Sequence, residues 1–376
     1  MKKKILFVFP QWHFNIVDTV HELSKNNEVH VAYFKKGDEI EQLWKVNVPG
    51  VHLHDLKLWK KIMLFSSDFF FPSFFDLWNK LSRNYDVVVF KNMYDPTSLL
   101  GFLFCRLKGI PFVFSEQKIK EVRYGFARYL FLTIKNLYVK GIVHISSIKA
   151  FSPTEIGFKQ LVQYTKKRFY IPFAIDVNSK PQKKFSTQGS AIKILNISKF
   201  QQRKDQLLLL KAVNELQRKN KNILFELTLV GGVDKGDTYL QELKDFAKNN
   251  DMTVNFVEKV PREGIEKIFL DSDLFVLASH DEPAAYSHLE AMAYGLPAIC
   301  SSENGTKNYI EQGINGGIFK ARDIVSLMKE IESITVSKGE INWKKMAKFG
   351  NSGRKIALKN HSPELVVKKF ERMLSQ

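Results

Sequence analysis

Cysteine is almost absent from this chain: of 376 residues only Cys105 and Cys300 carry thiols. Two cysteines exclude a disulfide framework, and their apolar surroundings read as buried free thiols in a reducing compartment. Long apolar runs are absent too, and none approaches the roughly 18 residues that span a bilayer. The first ten residues, Met1 to Pro10, pair a basic head with a short apolar stretch. They read as an opening β-strand rather than a signal peptide. No His/Cys cluster has zinc spacing. Neither Gly-x-x-x-x-Gly-Lys-Ser/Thr nor Gly-x-Gly-x-x-Gly occurs, and no Gly-x-Ser-x-Gly nucleophile elbow is present. Asp271-Ser-Asp273 has the letters of a metal-binding Asp-x-Asp, but it precedes the strand Leu274–Leu277 and reads as a turn. No internal repeat is evident. Acid is scarce: 39 Asp+Glu stand against 57 Lys+Arg, a net charge of +18.

What is present is apolar residue in quantity, 44% of the chain. That excludes wholesale disorder, and the length suits two domains of roughly 150–200 residues each. The positive excess favours an anionic partner. Phenylalanine is abundant, at 31 residues. Basic plus aromatic suits a nucleic-acid groove and a membrane interface alike, and composition does not separate them.

The N-terminal half alternates apolar β-rich runs with helical patterns. Ile5–Phe9, Glu28–Phe34, Val87–Phe90, Phe112–Phe114 and Gly141–Ile145 read as strands, nearly all apolar as parallel strands covered on both faces must be. Asn15–Lys25 and Ser98–Leu107 read as helices. After Tyr170-Ile-Pro172 the character changes, and residues 179–190 read as a polar linker. A second series follows, with strands Ile192–Ile197, Phe225–Val230, Val254–Val257, Leu274–Leu277 and Ala298–Cys300 and helices Asp205–Lys219 and Leu240–Asn249. The expected fold is α/β, with two Rossmann-like domains facing a central cleft. Residues 1–178 form the first and 191–361 the second. The tail 362–376 is expected as an amphipathic helix packing back on the N-terminal domain.

The stretch from His280 to Pro297 carries the chemistry. Glu282 and Glu290 lie eight positions apart, the first after a strand, the second on a helix expected to start near Ala285 and to stop at Gly295-Leu-Pro297. A loop-to-helix junction at the carboxyl end of a parallel strand is where open α/β sheets bind phosphorylated ligands. The N–H groups of Ala285, Tyr286 and Ser287 are candidates to receive a diphosphate. Glu290 is a candidate to bind ribose hydroxyls, and Glu282 to face a reacting sugar. Two arbitrary glutamates would instead read as a solvated loop acid and a surface helix residue.

The wording around them resembles the E-x7-E signature of retaining family-4 glycosyltransferases, which have the GT-B fold and serve bacterial surface-polysaccharide assembly. Glu290-Ala-Met-Ala-Tyr-Gly-Leu-Pro297 is close to that family's usual run. Asn304-Gly-Thr306 and Gly313-x-Asn315-Gly316 resemble its later glycine turns. Upstream, Leu195-Asn-Ile-Ser-Lys199 and Lys204 before a Leu-rich helix resemble a strand ending in Arg, then a Lys. The resemblance implies that Lys199 and Lys204 hold the donor diphosphate. Lys199 stands where Arg is usual and so lacks the bidentate fork; Asp205 stands where Gly is usual. Val230-Gly231-Gly232 resembles the strand-end glycines of the same domain, and the backbone of Lys259 or Val260 is placed near the nucleotide base. In the N-terminal half, Gly109-Ile-Pro resembles the strand whose end carries Ser-Glu-His. Here it reads Ser115-Glu116-Gln117, and Gln117 donates and accepts hydrogen bonds but does not titrate. The first loop lacks the family's paired glycines, and His13 or Asn15 is the substitute. Pro172-Phe-Ala-Ile-Asp176 resembles the family's Pro-Asn-Gly-Ile-Asp.

The resemblance implies a metal-independent enzyme of the hexosyltransferase class with no cofactor. It would move a sugar from a nucleoside-diphosphate sugar, UDP-sugar favoured, to an acceptor hydroxyl. Residues 115–170 hold eleven basic and three acidic residues, and Lys57 to Trp78 holds eight aromatics. This basic aromatic surface points to an anionic membrane and a lipid-linked saccharide acceptor, hence to a cytoplasmic protein peripheral on the inner face of the cell membrane. Nucleic acid is not expected, because no binding module is recognisable. The alternatives are a catalytically silent GT-B membrane scaffold and a transferase for a soluble sugar acceptor.

Overall fold

The computed structural model describes residues 2–9, 14–34, 48–64, 67–92, 95–117, 148–185, 189–234, 236–258 and 260–376. The expected strand Gly141–Ile145, residue His13 and residues 118–147 of the basic stretch 115–170 lie outside the described residues. The chain divides into two compact units. Unit 1 comprises Met1–Ala174 with Pro363–Gln376, and unit 2 comprises Ile175–Ser362.

Unit 1 runs β1 (Lys4–Phe9), α1 (Val17–Ser24), β2 (Glu28–Phe34), β3 (Val51–Leu56), β4 (Leu58–Leu64), β5 (Ser67–Pro72), α2 (Phe74–Leu81), β6 (Val87–Lys91), α3 (Pro96–Lys108), β7 (Phe112–Ser115), β8 (Lys149–Ser152), α4 (Glu155–Gln160) and β9 (Arg168–Tyr170). Its parallel sheet has the order β3-β2-β1-β6-β7-β8-β9. Both faces are covered. One core packs Leu6, Val8, Val88, Phe90 and Phe114 against Leu77 of α2 and Phe104 of α3. The other packs Ile5, Phe7, Val29 and Val89 against Val20 of α1. Double coverage is why these strands are apolar at almost every position. Much of the phenylalanine is accounted for here, as core. α3 shows its boundaries in its sequence: the Asp95 carboxylate caps the Thr97 N–H at 2.9 Å, Pro96 occupies the first turn, and Gly109 closes it at φ 68°. These are the residues that suit each position.

Unit 2 runs β10 (Ala191–Ile197), α5 (Gln206–Lys219), β11 (Leu224–Val230), α6 (Tyr239–Asn249), β12 (Val254–Val257), α7 (Arg262–Asp271), β13 (Leu274–Leu277), α8 (Ser287–Tyr294), β14 (Ala298–Ser301), β15 (Gly316–Phe319), α9 (Ile324–Thr335) and α10 (Trp343–His361). Its parallel sheet has the order β12-β11-β10-β13-β14-β15. This is the doubly wound order, reversing between β10 and β13. The chain thus has two Rossmann-like α/β units. α11 (Pro363–Ser375) is part of unit 1, where it packs on α1 and stacks Phe370 on Phe7 with ring centroids 5.8 Å apart. No helix among the described residues is long and apolar enough to cross a membrane.

Three readings of the sequence need correction. The segment read as a linker is packed on unit 2 over its described part. The Lys183 ammonium is buried against Asp273 at 3.1 Å and donates to Leu270 O at 2.8 Å, and Phe185 joins the unit 2 core. One lysine and one ring hold a segment whose composition is otherwise that of a loop. Gly316, read as part of a glycine turn, opens strand β15. A Cβ there would lie 1.8 Å from Ala298 O, so the residue is glycine because the neighbouring strand is too close for a side chain. α8 begins at Ser287, two residues later than expected, because the residues before it pack against the Asn304–Thr306 turn.

Candidate active site in unit 2

The order of the unit 2 sheet reverses between β10 and β13, so the loops leaving these strands part and open a crevice at their carboxyl ends. Each loop delivers charge. From β10 come Lys199, Arg203 and Lys204; from β13 comes Glu282. Glu282 is buried, and its Oε2 accepts from Arg203 Nη1 at 3.0 Å. The same oxygen accepts from the buried Lys204 ammonium. Burial works against the Glu282 charge, but the Lys204 ammonium and the Arg203 guanidinium outweigh it and hold the carboxyl below its usual range. The Glu282 carboxylate is therefore ionised at neutral pH, while burial pulls the Lys204 ammonium below its usual range and Glu282 offsets part of that.

The local backbone explains how the cations arrive there. Residues 202–204 form one 3-10 turn, and Asp205 follows it at φ 51°, in the left-handed region. That reversal turns the chain into α5 with Lys204 directed inward. Asp205 stands where glycine was expected and adopts the glycine conformation, which an aspartate tolerates better than most side chains. The loop after β13 is braced from behind. Gly305 N–H donates to Glu282 O at 2.9 Å, and a Cβ on Gly305 would lie 1.9 Å from Pro283 O. Gly231, at the end of β11, lies equally close to Ser198 O, 2.0 Å from where its Cβ would stand. Both glycines serve close backbone approach, and both position the strand ends.

The other expected site residues fall as follows. Lys199 points away from Glu282, pairing with Asp234 at 3.2 Å on an exposed rim. The Ala285 N–H, expected to be open to a diphosphate, donates instead to Thr306 Oγ1 at 3.2 Å. This is a correction, and its reason is that Thr306 also donates to Ala285 O at 2.9 Å, locking the turn. Tyr286 is the residue before α8 and is buried; Ser287 opens the helix, and Glu290 lies in its first turn. The ladder opens with Leu289 and Glu290 N–H donating to Tyr286 O at 2.9 and 3.1 Å, so the Ser287 and His288 N–H groups precede it and carry the positive end of the helix dipole. Val260 follows β12, with Lys259 outside the described residues. Asp273 is occupied by Lys183 and by the Lys193 N–H at 3.0 Å. Among the described residues no group of three His, Cys, Asp or Glu forms a metal-holding set.

Unit 1 holds the remainder. Gln117 O accepts from Ser152 Oγ at 2.9 Å and Thr154 Oγ1 at 2.7 Å. Its residue lines a cavity with Asn15 at the carboxyl ends of β1, β6 and β7. Glu116 is buried beside it.

Two residues escaped the sequence reading. Arg203 had no signal beyond adjacency to Lys204. Lys91 had one: it is the first polar residue after the apolar run Val87–Phe90, at a strand's carboxyl end. Unit 2 also carries buried polar atoms with no hydrogen-bond partner among the described residues. Among them are Ser279 Oγ and His280 Nδ1 after β13, and Gln206 Oε1 at the start of α5. Buried polar atoms without partners are rare in finished structures, and at a strand-end crevice they are suited to ligand hydroxyls.

Comparison with known proteins agrees with the fold. The chain superposes on crystal structures of Anabaena HepE in complex with UDP and glucose, with TM-score 0.75, 16% identity and 99% of each chain covered. It superposes likewise on a glycosyltransferase from Rickettsia africae, with TM-score 0.75, 14% identity, 100% of this chain and 98% of that one. Spore coat protein SA of Bacillus subtilis is 30% identical over 130 residues, 33% of this chain and 34% of that protein. The match thus spans about a third of that relative's length. Residues 178–356 match the family model described as glycosyl transferases group 1, and the match falls on unit 2, the half that holds Glu282, Arg203 and Lys204.

Proposed function

We propose that the protein is a glycosyltransferase of the retaining family-4 kind, using Glu282 and Glu290 as its E-x7-E pair. It moves a sugar from a nucleoside-diphosphate sugar to an acceptor hydroxyl. The observation that carries this reading is the buried Glu282 carboxylate gripped by Arg203 and Lys204 at the strand-order reversal, within the segment that matches the glycosyl transferases group 1 model. The solved complexes of HepE contain UDP, which favours a UDP-sugar as donor.

In this reading Lys204 and Arg203 stabilise the negative charge that grows on the departing diphosphate. Glu282 keeps both cations in place before the donor arrives and faces the transferred sugar. The first-turn N–H groups of α8 receive phosphate oxygen, Glu290 orients the ribose, and the Val260 backbone meets the base. Gly231 lets the strand end approach the ligand. Lys199 leaves Asp234 for the phosphate. No metal is required, because the cations already supply the charge that a metal ion would.

The acceptor in this reading is a lipid-linked saccharide at the inner face of the cell membrane. Its support is the set of large apolar side chains left exposed on unit 1: Phe74 and Phe75 on α2, Leu103 and Leu107 on α3.

Release of nucleoside diphosphate from UDP-, GDP- and ADP-sugars tests the activity, with anomeric configuration read by proton NMR. The expected result is release from a UDP-sugar, unchanged by EDTA, retained in configuration and lost in Glu282→Ala. Donor binding without turnover across acceptors would favour the silent scaffold. Flotation with anionic liposomes tests the membrane; absence of binding at low salt would return the acceptor to a soluble sugar.

A further inference from the structure

The donor chemistry leaves Lys91 unexplained. It ends β6, the strand at which the order of the unit 1 sheet reverses, so its side chain is delivered to the carboxyl ends of the strands. There it lines a cavity walled by Phe9, Phe151 and Phe370, with polar groups from Asn15, Ser115 and Gln117. Its ammonium lies 5.9 Å from the Phe9 ring centroid. Among the described residues it has no carboxylate within ion-pair distance. Glu116, next to Ser115 on the same rim, acts on it only at longer range. Burial pulls the ammonium down to about 8, and Glu116 offsets only part of that. At neutral pH the cation is still mostly protonated.

An ammonium held among rings without a paired anion is costly, and it is retained where something else supplies the opposite charge. We propose that this cavity is a binding site for a phosphate-class oxyanion, with Lys91 as the pairing cation and Asn15, Ser115 and Gln117 as neutral hydrogen-bonding groups. The apolar walls disfavour a fully hydrated ion, so a phosphate monoester with an apolar ester group binds more tightly than inorganic phosphate. The inference uses unit 1 alone and stands or falls separately from donor transfer in unit 2.

Calorimetry on the full chain tests it, with inorganic phosphate, dodecyl phosphate below its micelle concentration, and dodecyl maltoside as the uncharged control. Dodecyl phosphate is expected to bind. Lys91→Met weakens it by about tenfold or more, Lys91→Arg largely retains it, and binding weakens between pH 7 and pH 9 as Lys91 loses its proton. Inorganic phosphate binding as tightly, and through Lys91, would support the site and name free phosphate as its source. Equal binding of dodecyl phosphate by wild type and Lys91→Met would overturn the proposal, as would equal binding of dodecyl maltoside or no binding of either phosphate. Lys91→Gln carries the same expectation should Lys91→Met not fold. UDP binding in the same samples is the internal control, since Lys91→Met leaves it unchanged. Loss of UDP binding in wild type, with Lys91-dependent phosphate binding intact, sinks the donor reading and leaves this one standing.

Discussion

Arg203 Nη1 donates to Glu282 Oε2 across 3.0 Å, although 79 positions separate them in the chain. Lys204 reaches the same oxygen from the neighbouring position. One buried carboxylate therefore fixes two cations from a different loop, and each loop end is fixed in return.

Removing one side of this arrangement leaves the other buried and uncompensated. Glu282→Gln and Lys204→Met are each expected to destabilise unit 2 by about 2–4 kcal/mol. The double variant is expected to cost less than the sum, because only the part-exposed Arg203 is then left without its carboxylate. Urea unfolding of the four proteins measures the coupling. Additive losses would mean that the contact contributes no interaction energy.

Asp205 occupies a left-handed backbone conformation at φ 51°, and its carboxyl is pushed upward by burial. Asp205→Gly relieves both, and is expected to raise stability by about 0.5–1 kcal/mol. A lower urea midpoint in the glycine variant would show that the carboxylate contributes more than the backbone costs.

Gly305→Ala places a methyl group where Pro283 O already stands. The Glu282 loop must move, and overpacking of this kind costs about 1–3 kcal/mol. UDP affinity, followed by calorimetry, is expected to fall together with stability. Unchanged affinity would separate the loop from the ligand site.

Acid should weaken unit 2 through His288. Burial lowers its pKa from 6.5 to about 4, with the Thr306 carbonyl partly opposing. The unfolded chain takes up this proton first, so it binds more protons than the native state between those values, and stability rises with pH there. The buried neutral ring thus contributes fully above about pH 6.5, and the contribution is lost as pH falls toward 4, by about 3 kcal/mol at most. His288→Asn should flatten urea midpoints across this window. A slope equal to wild type would assign the acid sensitivity elsewhere.

The alternating strands were legible because buried parallel strands must be apolar throughout, and Ile192–Ile197 or Leu274–Leu277 have almost no other reading. Strand β3, Val-His-Leu-His-Asp-Leu, was missed: as an edge strand it alternates polar and apolar residues, and its polar positions hid it. Glu282 and Lys204 stood out by their wording, whereas Arg203, which reaches Glu282, did not, and Lys199 pairs with Asp234. Which of two basic residues on one loop faces inward depends on the 3-10 turn at residues 202–204 and the left-handed backbone of Asp205, which the order of residue types does not reveal.

Periodicity and capping residues are local, so the sequence by itself determined two α/β series, the carboxyl-terminal ends of α3 and α8 at Gly109 and Gly295, and the strand ends at which the charges gather. Contacts between distant segments belong to the tertiary structure alone. It decided that Arg203 joins Lys204 on Glu282, that Thr306 closes the Ala285 N–H, that residues 183–185 pack on unit 2 and that Lys91 sits in a cavity without a carboxylate partner among the described residues. Each of these depends on which loops the sheet order brings together, and a linear pattern of residue types does not encode that distance.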